Sequence, residues 1–413
     1  MLTLAPEGRT RLVRRLDELY AIGGGTGANR LAWTREEQEA HDLVRRWMEE
    51  AGLAVEVDRA GNLVGRRLAA SPRGPEIWTG SHLDSVPRGG RFDGALGVLA
   101  GLEAVELAAG GKEPPRTLAV VAFRDEEGAR FGRGFLGSRA LVGLVEGAEL
   151  DVRDAAGTSV REAVAGAGFS LLPFPNDPAA RPGAFVECHI EQGPVLAEAS
   201  APVGVVTGIV GVARGEVEIR GRAGHAGTTP MRARADALCA AAEYILRVRD
   251  AACAVPDAVA TVGRIDVEPG AVNVIPALAR MSVDARAPDP AAFERLLAAI
   301  PEASTRLLEP VSLSPEVASA LRAAIAARGV RLVELRSGAG HDAGVLATVG
   351  IPSAMLFVRS LAGGASHSPE EDSSIEDCVL AVEVLADALA RLAAAPSAGS
   401  PPSTASGREA VGE

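Results

Sequence analysis

EIWTGSHLDSVPRGGRFDGALGVLAGLEAVELAAGGKEPPRTLAVVAF (76–123) decides how this chain folds. EIWTGSH (76–82) reads as a short strand, LGVLAGLEAVELAAG (96–110) as a helix and RTLAVVAF (116–123) as a buried strand. Strand, helix, strand implies an α/β sheet with helices on its faces. Upstream, RTRLVRRLDELYAIG (9–23) and TREEQEAHDLVRRWMEEAG (34–52) space apolar residues three and four apart, as helices do. Thr34 is placed to cap the second, Glu37 to complete a capping box and Gly52 to end it. AVEVDRAGNLVGR (54–66) reads as two short strands around a turn.

A different rhythm begins near Gly211. GEVEIRGRAG (215–224), VATVGRIDVEP (259–269) and ARMSVDARAP (279–288) alternate like half-exposed strands. Helices ADALCAAAEYILRVRDAA (235–252) and PAAFERLLAAI (290–300) lie between and after them. That order predicts an antiparallel sheet with helices on one face, a separate domain inserted into the first. VASALRAAIAARG (317–329), RLVEL (331–335), PSAMLFV (352–358) and a last helix at 375–395 return to the buried α/β pattern. The expected division is 1–210 plus 326–395 for the main domain, 211–325 for the insert and 396–413 for a disordered tail rich in Pro, Ser, Gly and Ala.

A length of 413 residues suggests two domains, and 47% hydrophobic with 23% charged residues is ordinary for a soluble protein. A net charge of −12 argues against nucleic acid, which needs a basic face. Cys188, Cys239, Cys253 and Cys378 form no CxxC pair and read as free thiols in a reducing compartment. Glu7, Arg9 and Arg11 interrupt any apolar leader, and no uncharged run reaches membrane-spanning length. A cytoplasmic location, away from membranes, is the expectation.

Five residues carry the chemistry: His82, Asp93, Glu127, His189 and His367. All suit a borderline divalent metal, and they sit in GSHLDSVPRGGRFDG (80–94), FRDEEGARFG (123–132), ECHIEQGP (187–194) and GGASHSPEE (363–371). Three histidines and two carboxylates, one shared, are enough for two metals, which together activate water and polarise a carbonyl. Asp84 is spaced to hold the second ring nitrogen of His82. Three acids at 125–127 repel one another unless a cation sits among them, and the division inferred is Glu127 as ligand, Glu126 as general base. Strand periodicity puts Glu187, His189 and Glu191 on one face. His41 reads as structural. Gly132–Gly137 matches G-x-G-x-x-G but neither follows a strand directly nor escapes the acids before it, so a dinucleotide site is not expected.

Taken together, GSHLDSVPRGGRFDG, DEEGARF, GSRAL (137–141), HIEQGPVL (189–196), GRAGHAGTTPM (221–231), NVIP (273–276), SGAGHDA (337–343) and GASHSPEE resemble the amidase/carbamoylase branch of the dinuclear zinc aminoacylase–carboxypeptidase superfamily. That branch holds N-carbamoyl-L-amino acid hydrolases, β-ureidopropionases and allantoate amidohydrolases. The resemblance spans roughly 10–395. It implies a phosphorylase/hydrolase-like mixed-sheet catalytic domain with an inserted ferredoxin-like α+β lid that also dimerises. It further implies two divalent metals (zinc, or manganese, cobalt or nickel), with His82 and His189 on one, Glu127 and His367 on the other and Asp93 on both. Gln192 and His341 would lie at the site, Asn273 and Arg286 would hold a substrate carboxylate, and His225 would polarise the substrate carbonyl of the neighbouring subunit. On the residues alone, Arg286 reads as a surface arginine and His225 as a loop histidine. The implied reaction is hydrolysis of a small ureido acid, an N-carbamoyl-L-amino acid, in a homodimer, with allantoate and N-acyl amino acids as rival substrates. The stretch 300–317 is shorter than the family pattern, so the insert is expected to lack a strand there.

Overall fold

A computed structural model describes residues 1–171 and 181–395; the expected disordered tail lies outside the described residues. Its larger sheet has nine strands. In spatial order these are Ala54–Val57, Leu63–Arg67, Leu118–Phe123, Ile77–His82, Ala184–Ile190, Ser353–Val358, Val203–Ile209 and Val311–Ser312, with Glu334–Ser337 also paired to Val203–Ile209. The four at the centre, from Leu118–Phe123 to Ser353–Val358, run parallel. Their residues are all buried, which is why they read as unbroken apolar runs without alternation.

Helices cover both faces. Pro6–Tyr20, Arg35–Glu50, Ala95–Ala109, Pro315–Ala327 and Ile375–Ala394 share one core with the sheet; Phe123, Phe185, Phe357 and Leu346 anchor the other. Each fully buried Leu or Phe contributes roughly 1.5–3 kcal/mol. Helix Ala95–Ala109 is apolar all round because it lies inside this layer, and its one buried acid, Glu103, is paired with Arg11 and, at 2.9 Å, with Arg15. Thr34 caps Arg35–Glu50 as expected, accepting from the Glu37 amide. Glu37 does not return the bond. Its carboxylate accepts instead from the Trp33 amide and the Arg124 guanidinium, both at 2.7 Å, because a buried arginine needs the charge more than a partly exposed cap does.

The second sheet is antiparallel, ordered Thr305–Leu308, Gly211–Arg220, Leu278–Ala287, Val259–Glu268. Helices Ala237–Cys253 and Pro290–Ala299 pack on one face around Tyr244, Met281 and Phe293. Strand, helix, two strands, helix, strand is the ferredoxin-like order. Two expectations are corrected here. The shortened stretch keeps its strand, because 305–308 still reaches Val212–Arg214 and pairs with it. The boundary set at 325 falls inside helix Pro315–Ala327, whose Val317, Leu321 and Ile325 belong to the larger core; the second sheet ends at Leu308. A two-stranded ribbon, Gly224–His225 with Val274–Ile275, stands apart from both sheets.

Candidate active site

Parallel pairing brings the chemistry to one edge. His82 ends its strand opposite Phe123, the acids 125–127 follow Phe123, and His189 lies opposite Phe357. This is the carboxyl edge, where α/β sheets place ligands. His82 directs Nδ1 at the Asp84 carbonyl (3.2 Å) and carboxylate (3.4 Å); His189 directs Nδ1 at the Ile190 carbonyl (2.9 Å). Both rings are thereby set with Nε2 toward Asp93 Oδ1, at 3.4 and 3.2 Å. Asp84 also accepts from the amides of Glu126 and Glu127, both at 3.1 Å, so one carboxylate orients His82 and the acidic turn together.

The other oxygen of Asp93 faces a second group. His367 Nε2 lies 3.4 Å from Asp93 Oδ2 and 3.3 Å from Glu127 Oε2. His82, Asp93 and His189 form one set of three donors that could hold a metal, and Asp93, Glu127 and His367 another. Glu126 joins neither and sits 3.7 Å from His82 Nε2. Gln192 donates to Asp93 Oδ2 at 2.9 Å. Asp125, Gln192 and His367 all hold left-handed backbone (φ +53°, +57° and +55°), strain of the kind that collects at working sites. Gly94, at φ +62°, leaves room for the His82 ring, which a Cβ would meet at 2.4 Å.

Burial pushes the carboxyls of Glu126 and Glu127 well above the ordinary range, and neighbouring acids (Asp342 and Asp84 for Glu126, Asp93 for Glu127) push the same way. Burial acts on Asp93 likewise, yet contacts to His189 and His82 outweigh it and hold that group well below. Buried His82 Nε2 and Glu127 Oε1 have no hydrogen-bond partner. Excess buried negative charge, two imidazole lone pairs aimed at one point and orphaned donor atoms fit a divalent cation.

Sequence reasoning missed two neighbours, Glu371 and Arg30, and placed a third, Glu187, on the His189 face without giving it a role. Glu371 accepts from the amides of Phe92 (2.8 Å) and Asp93 (3.0 Å) and from Ser366 (3.0 Å), tying the Asp93 loop to the His367 loop. It fills the space over Gly90, where a Cβ would lie 2.0 Å from its carboxyl. Glu187 accepts from Ser81 and the Ala343 amide. Fully buried Arg30 donates to the Leu83 carbonyl at 2.7 Å and steadies the loop after His82. Glu371 was visible in GGASHSPEE and Glu187 in the strand period it shares with His189; Arg30 carries no sequence signal.

A cavity of about 590 Å³ opens over the centre, lined by Asp93, Glu126, Glu127, His189, His367 and, further out, Arg286. Gln192 and His341 line it too. His341 is buried against His189, ring centroids 4.7 Å apart, and burial holds its imidazole well below the usual range. Arg286 meets Asp284 with Nε and Nη2 (2.7 and 3.3 Å) and the Gly338 carbonyl with Nη1 (2.7 Å). His225 and Asn273 do not line the cavity. They sit together on the ribbon, the Ala226 amide donating to the Asn273 carbonyl at 3.0 Å.

Such a sheet edge and donor set define a metal-dependent hydrolase. Residues 78–391 match the peptidase family M20/M25/M40, and the chain belongs to that family. It is 43% identical to an N-carbamoyl-L-amino acid amidohydrolase of Geobacillus stearothermophilus over 91% of this chain and 96% of that protein. It is 35% identical to allantoate deiminase 1 of Glycine max, over 88% and 85%. The crystal structure of a hydantoinase/carbamoylase family amidase from Burkholderia multivorans superposes with a TM-score of 0.86 at 34% identity, covering 94% of this chain and 98% of that one. The chain is an amidohydrolase that acts on C–N amide bonds. No helix among the described residues is long and apolar enough to cross a membrane.

Proposed function

We propose that the protein hydrolyses the ureido C–N bond of N-carbamoyl-L-amino acids, giving the L-amino acid, CO2 and ammonia. The observation that carries this is the pair of donor sets sharing Asp93, with a free buried acid, Glu126, beside them. The 43% identity to a carbamoyl amino acid amidohydrolase, against 35% to an allantoate deiminase, favours the carbamoyl substrate.

His82 and His189 would hold one divalent ion, Glu127 and His367 another, and Asp93 both. Bound metals supply Lewis acidity, lowering the pKa of water and polarising the carbonyl. Glu126 takes the proton of the attacking water and returns it to the nitrogen that leaves, so ammonia departs from the carbamoyl carbon and the remaining carbamate loses CO2. Its raised pKa suits both steps. Gln192 keeps Asp93 oriented through the bond to Oδ2. Arg286 has its side-on fork on Asp284 and gives one Nη1 hydrogen to the Gly338 carbonyl, so a substrate carboxylate would take the remaining N–H groups of the guanidinium. His225 and Asn273, standing together outside the cavity, would complete the site of a second subunit, with residues 211–308 acting as lid and dimer contact. His225 Nδ1 accepts from the Gly227 and Thr228 amides (3.0 and 3.2 Å), which leaves Nε2 as the donor to a developing oxyanion.

The test offers metal-loaded enzyme N-carbamoyl-L-methionine, allantoate and N-acetyl-L-methionine. Ammonia from the first substrate in preference to the others supports the reading; preferential turnover of allantoate or of the acetyl compound defeats it.

A further inference from the structure

One wall of the cavity has no part in the chemistry so far. Gly340 and Gly344 flank His341, whose ring lies against His189, so this wall adjoins the centre directly. A Cβ on Gly340 would lie 2.4 Å from a Leu308 methyl carbon and 2.7 Å from the Phe135 ring. A Cβ on Gly344 would lie 3.0 Å from an Ile209 methyl and 3.8 Å from Val311. Phe135, Ile209, Leu308 and Val311 therefore form one continuous apolar surface beside His341, and each lines the cavity.

The charged side chains of the outer cavity are already engaged. Arg139 pairs with Glu149 at 2.6 Å, Arg133 with the same carboxylate at 3.1 Å, Arg214 with Asp284 at 2.9 Å and Glu309 with Arg306 at 3.2 Å. A substrate held by its ureido group at Asp93 and by its carboxylate at Arg286 has one direction left for its third substituent. We propose, resting on the ureidase reading, that this wall is a side-chain pocket for large aliphatic or aromatic groups. The enzyme then prefers N-carbamoyl-L-leucine and its kind to N-carbamoylglycine and to allantoate. Allantoate would put a second ureido group against Phe135, Ile209, Leu308 and Val311, which offer it no side-chain hydrogen bond, and a buried amide without partners is strongly disfavoured. Leu308 and Val311 both come from the shortened stretch, so the length of that segment sets the depth of the pocket.

The experiment compares kcat/KM of metal-loaded enzyme for N-carbamoyl-L-leucine, N-carbamoylglycine and allantoate, in the wild type and in Gly344→Val and Leu308→Asn. Leucine should exceed glycine by at least about 100-fold, since it adds four carbons and each methylene in an apolar pocket is worth about tenfold or more. Each variant should cut that ratio at least about tenfold, one by filling the pocket and the other by making its wall polar. Melting curves and metal content identify a variant that fails to fold, and the second variant then carries the test. A flat ratio, a preference for glycine or allantoate, or a ratio unmoved in a folded variant overturns the pocket. Should no ureido substrate react, the ureidase reading falls, and N-acetyl-L-leucine against N-acetylglycine tests the pocket separately.

Discussion

Asp93 is the residue on which both donor sets depend, since each of its oxygens faces a different pair of partners. Asp93→Ala should leave almost no bound metal by elemental analysis. Glu126→Gln should retain metal, because Glu126 is in neither set, yet lose roughly 10²–10⁴-fold in kcat. Equal loss of metal in the two variants would contradict this separation. Glu371→Gln replaces a carboxylate that accepts three hydrogen bonds with an amide bearing one acceptor oxygen. Metal affinity should fall about 10- to 100-fold, measured by competition with a chelating dye. At this scale the sequence was legible where residue type alone limits function: three histidines and two acids in short segments punctuated by glycine or proline. It was silent where function is a matter of what a side chain touches. Arg30 looks like any arginine until the fold buries it beside the centre.

Elements explain why those residues converge. Three parallel strands end at one edge: His82 closes the first, the acids 125–127 follow the second and the third carries His189. The strand–helix–strand reading of 76–123 survives intact because long buried runs admit few alternatives. Short-range detail fared worse. The capping box at Thr34 failed since Arg124, from the turn after a strand far along the chain, competes for Glu37. The strand at 305–308 was unreadable because only its pairing with Val212–Arg214 makes it one. Gly94→Ala tests the turn that joins strand edge to helix. The added methyl at positive φ would press on the His82 ring, so the variant should melt lower and bind metal more weakly. Unchanged metal binding would show that the loop can yield.

At the scale of the whole molecule, the buried acids make the metal-free protein sensitive to pH. Burial raises Glu126, Glu127, Asp342 and Glu187, and brings Glu371 up to about 7. His82 is also raised well above 6.5, its carboxylate neighbours outweighing burial. Raised groups hold protons that the unfolded chain has already released, so their stabilisation disappears as pH rises through the folded values. His41 and His341 are lowered and act oppositely, but only below 6.5, where an unfolded histidine still carries its proton. From there to about pH 8 the melting temperature of stripped protein should fall, and metal should flatten the slope. A stripped protein that gains stability over that range would refute the electrostatic picture. The ribbon makes a different prediction. If His225 serves a second subunit, mixing His225→Ala with Glu126→Gln should restore part of the activity that each lacks alone; no recovery in a mixed dimer would place His225 in its own site.

The most direct measurement is activity on N-carbamoyl-L-leucine as stripped enzyme is titrated with zinc or manganese, following ammonia and free leucine together. Turnover should be absent without metal, activity should rise until two equivalents per chain are bound, and the two products should form in equal amounts. Full activity at one equivalent would contradict the shared role of Asp93, and leucine released without ammonia would contradict attack at the ureido carbon.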